Sequence, residues 1–165
     1  MERMRMIKKG DIAPDFKTTT ESGSPFRLSD YKGKKVFLYF YPKDNTTGCK
    51  AEACSIRDSY DVFKGNEIPV FGVSGGSEKS HQSFKEKNNL PFPLLMDEEF
   101  EIAKLYDVYQ KKKMYGKEYM GIERTTFLID ENGKVEGIFG GPEGVEKVKT
   151  KEHADQVIKF WGLKL

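Results

Sequence analysis

Cys49 and Cys54 are the only cysteines in this 165-residue chain, and four residues separate them. A thiol can serve as nucleophile, metal ligand or half of a redox pair, and its thiolate is the reactive form. Cys49 follows a continuously apolar run, Val36 to Tyr41, and a loop from Pro42 to Gly48. The residues after it, including Ala51, Glu52, Ala53, Ile56 and Arg57, read as helix. The first sulfur is therefore expected at the exit of a buried strand, in the first turn of a helix. Free backbone N–H groups and the positive helix end both favour a thiolate there.

The spacing limits what the pair can do. Zinc sites and dithiol oxidoreductases usually place two residues between their cysteines. In an ideal helix, five steps rise about 7.5 Å and turn about 500°, which sets the two Cα atoms roughly 8.6 Å apart. A disulfide needs about 4.4–6.8 Å. Two cysteines on one helix cannot bond until it locally unwinds. The plainer reading of the pair is two small core residues, because free cysteine is often buried.

The upstream residues favour the reactive reading. Pro42, Thr46 and Cys49 form Pro-x-x-x-Thr-x-x-Cys, which resembles the active-site motif of peroxiredoxins. With Cys54 five residues on, the segment resembles the peroxiredoxin Q group, also called bacterioferritin comigratory protein. Asp11-Ile12-Ala13-Pro14-Asp15-Phe16 is similar to that family's opening, and Ser80-His81 with Leu90 to Leu95 resembles its middle. Met114 to Lys117 and Tyr119 to Asp130 resemble its late segment. The resemblance covers nearly the whole chain in the family's order.

That resemblance implies a thioredoxin-like fold and a thiol-dependent peroxidase acting on hydrogen peroxide and organic hydroperoxides. Cys49 matches the peroxidatic cysteine and Cys54 the resolving one, which implies an intramolecular disulfide recycled by a thioredoxin-like reductant. Thr46 matches the hydroxyl that orients the peroxide, Pro42 the residue that shields the thiolate, and Arg124 the cation facing the thiol. Glu52 matches a frequent acidic residue that could hold Arg124 or Arg57; a purely structural role is equally open. No cofactor or metal is implied, and the group leans towards a monomer, with a weak dimer as the alternative. Two positions depart from the pattern: Thr47 stands where Pro is common, and Lys50 where Thr is. Thr47 leaves the loop less rigid. Lys50 either adds a cation beside the sulfur or points to solvent.

Other candidates have blander readings. His81 shares a helix face with Ser77 and Phe84 and reads as a packed histidine, and His153 reads as a helix-start residue. Gly140-Gly141-Pro142-Glu143-Gly144 lacks the Lys-Ser/Thr ending of a phosphate loop, so it reads as a flexible turn. Lys111 to Lys113 read as a solvated loop face. The same thiol pair would also suit a redox sensor or a thiol-disulfide oxidoreductase; turnover separates the sensor, and the spacing disfavours the oxidoreductase.

The elements that must position these residues alternate in type. Strands are expected at Val36–Tyr41, Ile68–Ser74, Leu94–Met96, Arg124–Ile129 and Lys134–Phe139, the last two joined by the hairpin turn Asp130-Glu131-Asn132-Gly133. Helices are expected at about Gly48–Phe63, Ser77–Lys87, Glu98–Tyr106 and His153–Trp161. The last shows Ala154, Val157, Ile158 and Trp161 at helical spacing, with Gly162 as its stop. Asp107–Gly121 is expected to be a long irregular connection. The order predicts an α/β domain over residues 1–165, a mixed central sheet with helices on both faces. With 28 basic against 26 acidic residues, the net charge of +2 makes no electrostatic case for nucleic acid or membrane. The opening residues are basic without the apolar stretch of a signal peptide. A cytoplasmic setting with reduced thiols is expected.

Overall fold

The computed structural model describes residues 7–144 and 146–165. Its centre is a five-stranded mixed sheet. Strand β3 (Val36–Phe40) runs parallel to β4 (Val70–Ser74), which runs parallel to β5 (Leu94–Met96). On its other side β3 pairs antiparallel with β8 (Thr125–Ile129), and β8 with β9 (Val135–Gly140). All five residues of β3 are buried, as befits a central strand covered on both faces. Its side chains alternate between two cores. Leu38 and Phe40 join Phe71, Val73, Phe127 and Ile129 on one face. Phe37 and Tyr39 join Phe63, Phe84, Leu128 and Val157 on the other.

Four helices line the second face: α1 (Thr47–Asp58), α2 (Tyr60–Gly65), α3 (Glu78–Lys87) and α5 (His153–Trp161). The first face carries α4 (Glu101–Leu105), through Ile102 and Ala103, and a small hairpin of β1 (Lys17–Thr19) and β2 (Pro25–Arg27). That hairpin gives little sequence signal, because each strand has only three residues.

Several expected boundaries shift for local reasons. The helix expected over Gly48–Phe63 breaks at Ser59 (φ −111°, ψ 12°), after Asp58, both residue types that favour helix ends over helix interiors. The helix expected from Glu98 starts only at Glu101, after Phe100 in the left-handed region (φ 59°). There the Asp97 carboxylate accepts the N–H groups of Ile102 and Ala103, both at 2.9 Å, and so caps the helix from outside it. Ser77 caps α3 by accepting from the Ser80 N–H at 3.1 Å.

The segment expected to be irregular is a hairpin. Strand β6 (Tyr109–Met114) pairs antiparallel with β7 (Lys117–Ile122) around the two-residue turn Tyr115-Gly116. Both turn residues have positive φ, 52° and 78°, the handedness that matches strand twist. Tyrosine is an unfavourable residue there, which hid the turn from the sequence. Lys111 and Lys113 are exposed, but Lys112 is half-buried and donates to the Ile122 carbonyl at 3.0 Å, so the three lysines form a strand and not a loop face.

Tyr115 is 97% exposed, so its ring offers little packing to compensate its strained backbone. Tyr115→Asn is expected to strengthen the hairpin by up to about 1 kcal/mol, since asparagine tolerates the left-handed region. Slower amide exchange across Lys111–Lys113 and Glu118–Met120 would show it; unchanged or faster exchange would reject it.

Candidate active site

Cys49 is the third residue of α1 and is 1% exposed. Its helix begins where it does because Thr46 is extended (φ −83°, ψ 155°) while its carbonyl already accepts from the Lys50 N–H at 2.8 Å. The Thr46 hydroxyl does not cap the helix; it donates to the Lys43 carbonyl at 3.0 Å and is exposed. The first-turn N–H groups therefore keep their dipoles for the sulfur end of the site.

The loop before the helix is tied from beneath. Asp44 is 5% exposed and accepts from Tyr41 Oη at 2.6 Å and Ser80 Oγ at 2.8 Å. It also lies 2.6 Å from His81 Nδ1, and His81 Nε2 lies 3.1 Å from the Leu95 carbonyl. Burial alone would raise the Asp44 pKa; the hydrogen bonds from His81 and Tyr41 overcome it and hold the carboxyl below its ordinary value. His81 is a buried structural residue, and what it holds is the loop carrying Thr46. Pro42 lies half-buried where β3 gives way to that loop.

Arg124 sits in the short link between β7 and β8. Phe40 pairs with Thr125, so the end of β3 and the start of β8 lie side by side and deliver Arg124 to the first turn of α1. Arg124 Nη2 donates to Cys49 Sγ at 3.5 Å, and Nη1 donates to Glu52 Oε1 at 2.7 Å. Gly48 permits this approach, since a Cβ there would stand 3.0 Å from Nη2. Gly140 (φ +68°) is constrained more tightly: a Cβ would lie 2.3 Å from the Arg124 carbonyl oxygen. The glycine turn expected to be merely flexible thus packs against the arginine's backbone. On its outer side Arg124 lines an open cavity of ≈ 530 Å³ with Gly140, Gly141, Glu146 and Val148.

Glu52 is fully buried. Burial pushes its pKa up to about 7 against the pull of Arg124. Burial works against the Arg124 cation, and its contacts with Glu52 and Cys49 outweigh that and raise its pKa. Of the two arginines the sequence offered to Glu52, the structure selects Arg124. Arg57 instead donates to the Asn88 carbonyl at 2.8 Å and pairs with Asp58 at 2.9 Å.

His153 does start α5, yet it also closes the back of the site, which its sequence neighbours do not reveal. Its Nδ1 lies 2.8 Å from Gln156 Oε1, an oxygen that also accepts the Lys149 N–H at 3.0 Å. Nδ1 must therefore donate. Nε2 is then an acceptor for the Thr126 hydroxyl at 2.7 Å, with Glu52 Oε2 a further 3.8 Å away from it. Burial lowers the His153 pKa to about 4, with Arg124 adding to the effect against Gln156 and Glu146. The ring is neutral at physiological pH, and its approach to Glu52 is not an ion pair.

Cys54 lies five residues on along α1, half-buried, with its thiol 3.8 Å from Asn88 Oδ1. Both cysteines are free and share one continuous helix, as their spacing requires for the unbonded state. Lys50 is exposed, the solvent-facing alternative of the two readings open to it. Among the described residues no cluster of His, Cys, Asp and Glu could hold a metal ion.

Comparison with known proteins agrees with this geometry. Residues 9–138 match the AhpC/TSA family, and the chain belongs to that family. Its relatives are peroxiredoxins of the Bcp or PrxQ kind, which makes it a thiol-dependent peroxidase with a thioredoxin-like fold. It is 47% identical to Peroxiredoxin Bcp of Bacillus subtilis over 153 residues, covering 93% of this chain and 94% of that one. It is 38% identical to Peroxiredoxin Bcp of Escherichia coli over 157 residues, covering 95% and 97%. Among solved structures, a cysteine-to-serine mutant of Xylella fastidiosa PrxQ superposes with a TM-score of 0.86 at 32% identity, covering 96% of this chain and 98% of that one.

His153 gives a pH test of the buried network. The folded pKa of about 4 lies below the ordinary 6.5, so the unfolded chain takes up a proton first as pH falls. Stability should therefore drop through that window, by up to about 3 kcal/mol. His153→Gln lacks this loss, and its stability deficit relative to the parent should narrow from about pH 7 to about pH 4. Denaturant unfolding at several pH values reads it out; a constant deficit would mean that the imidazole is not buried neutral.

Proposed function

We propose that Cys49 is the peroxidatic nucleophile of this peroxidase and Cys54 its resolving thiol. The observation that carries the reading is the contact of Arg124 Nη2 with Cys49 Sγ at 3.5 Å, in the uncapped first turn of α1. The Cys49 thiolate attacks the outer oxygen of a hydroperoxide, the O–O bond breaks, and the alkoxide or hydroxide leaves with a proton. Cys49 becomes a sulfenic acid. Arg124, the Thr46 hydroxyl and the Cys49 backbone N–H hold the charge that develops. Thr46 would turn its hydroxyl from the Lys43 carbonyl towards the peroxide. Pro42 screens the sulfur side of the loop from water. The cavity outside Arg124 supports access by organic hydroperoxides as well as hydrogen peroxide.

Cys54 then condenses with the sulfenic acid, releasing water and forming the Cys49–Cys54 disulfide. A thioredoxin-type dithiol protein restores both thiols by exchange. No resident cofactor enters this cycle. We read residues 1–165 as one domain acting as a monomer in the cytoplasm, where a reducing compartment would keep the resting thiols free. Among the described residues no helix is long and apolar enough to cross a membrane.

Cys49→Ser should abolish peroxide reduction. Cys54→Ser should react once, leave a trappable sulfenic acid and fail to turn over with thioredoxin. Coupled turnover assays and mass spectrometry of trapped protein would decide it. Normal cycling of Cys54→Ser would remove the resolving role, and an active Cys49→Ser would overturn the whole reading.

Disulfide formation requires α1 to unwind from about Cys49 through Cys54, because helical Cα atoms five apart stand roughly 8.6 Å away from one another. Hydrogen exchange across Lys50–Arg57 should accelerate on oxidation while Val36–Phe40 stays protected. Equal protection in both redox states would require the disulfide to form some other way.

A further inference from the structure

Arg124 touches two groups that can each carry a negative charge: Cys49 Sγ at 3.5 Å and Glu52 Oε1 at 2.7 Å. Glu52 and Cys49 are 0% and 1% exposed, and the Arg124 side chain 21%. If both were ionised, a largely dry site would hold two anions against one cation; if neither were, it would hold an unpaired cation. Either imbalance is costly where water cannot compensate. The other carboxyl oxygen adds an independent constraint. Oε2 is buried and has no hydrogen-bond partner among the described residues. His153 Nε2, 3.8 Å away, is an acceptor already engaged by Thr126, so it has no proton to offer. A carboxylate wants donors at both oxygens. This site supplies them at Oε1 alone, and leaving Oε2 without a donor costs a neutral carboxylic acid less than it costs a carboxylate.

We propose, on the reading that Cys49 is the peroxidatic thiol, that Glu52 holds a proton while Cys49 is a thiolate and gives it up when Cys49 becomes a neutral sulfenic acid, so that Arg124 faces one anion in both of these states. In the peroxide step sulfur passes two electrons to the peroxide, the S–O bond forms and the O–O bond breaks. The leaving alkoxide gains one proton as Glu52 loses one, so the step draws no net proton from solvent. When the disulfide is later reduced and Cys49 returns as a thiolate, Glu52 is reprotonated. Glu52 is thus a positioning residue that acts through Arg124.

The surrounding groups agree. Tyr39, from β3, contributes a buried phenol whose pKa burial raises well above its ordinary value, so it stays neutral. His153, from α5, is neutral as well. Thr126, from β8, does not titrate. Lys112, from β6, acts electrostatically on Cys49 and Arg124 while donating to the Ile122 carbonyl. Asp44 acts on Tyr39, and Glu146 on His153. The raised Glu52 pKa, about 7, has the direction this exchange requires.

Infrared difference spectroscopy on Cys54→Ser, at about pH 6 and with one equivalent of hydrogen peroxide, tests the exchange. The sulfenic acid is counted in parallel with a trapping reagent. The carboxylic-acid C=O band of the reduced protein should disappear as the sulfenic acid forms and return on reduction with dithiothreitol. Glu52→Gln in the same background should lack the band from the start. Carbon-13 glutamate labelling, which should shift the band, identifies it without that variant should the variant fail to fold. One sulfenic acid per chain with an unchanged carboxyl region would overturn the proposal and leave the peroxidase reading intact. Failure of Cys49 to react would count against the peroxidase reading instead.

Discussion

The guanidinium of Arg124, shared between a sulfur and a buried carboxyl, is the contact around which this protein is arranged. A planar group with fixed donors can make both bonds at once, which a lysine ammonium on a flexible stem does far less well. The geometry demands a great deal of the backbone. A side chain at Gly48 would crowd the guanidinium as it reaches the sulfur, and Gly140 must lack one for the arginine's own carbonyl to fit. The pairing of Phe40 with Thr125 sets the two chain segments side by side, and so the antiparallel half of the sheet is what brings residues 49 and 124 together.

Behind that contact lies a layer of polar groups that the core would ordinarily exclude. Tyr39, Glu52, Thr126 and His153 stand among Phe37, Phe63 and Phe139. Hydrogen bonds fix most of them, and the low polarity of their surroundings sharpens each electrostatic preference. A second buried set, Asp44 with Tyr41, Ser80 and His81, fastens the loop that enters α1. The reactive turn is thus held from both sides by polar contacts sealed inside apolar packing, a stiff mounting for a group that must meet its substrate in one orientation.

The central strand, α5 and the cysteine-bearing helix were legible because continuous burial and helical spacing leave strong local marks. Cys49 stood out by its place between a buried strand and a helix, whereas Arg124 and Pro42 were singled out only through a resemblance. His153 shows what local reading misses: it is a helix-start residue in sequence, but its partner Thr126 and its neighbour Glu52 come from a distant strand and helix. The β6–β7 hairpin was hidden for a different reason. Its turn uses tyrosine where asparagine would have announced it, and its lysines disguise a strand as a solvated run. The glycines of the 140s were visible as glycines, while the carbonyl they accommodate was not.

Glu52 lies between the two cysteines on one short length of helix. Any rearrangement that joins the sulfurs must also draw this carboxyl out of the core and away from Arg124. The oxidised chain would then lack the assembled site, and not merely the free thiol. Competence towards peroxide and exposure to a reductant become mutually exclusive shapes of the same dozen residues, so the order of events in the cycle is written into chain connectivity and needs no separate regulator.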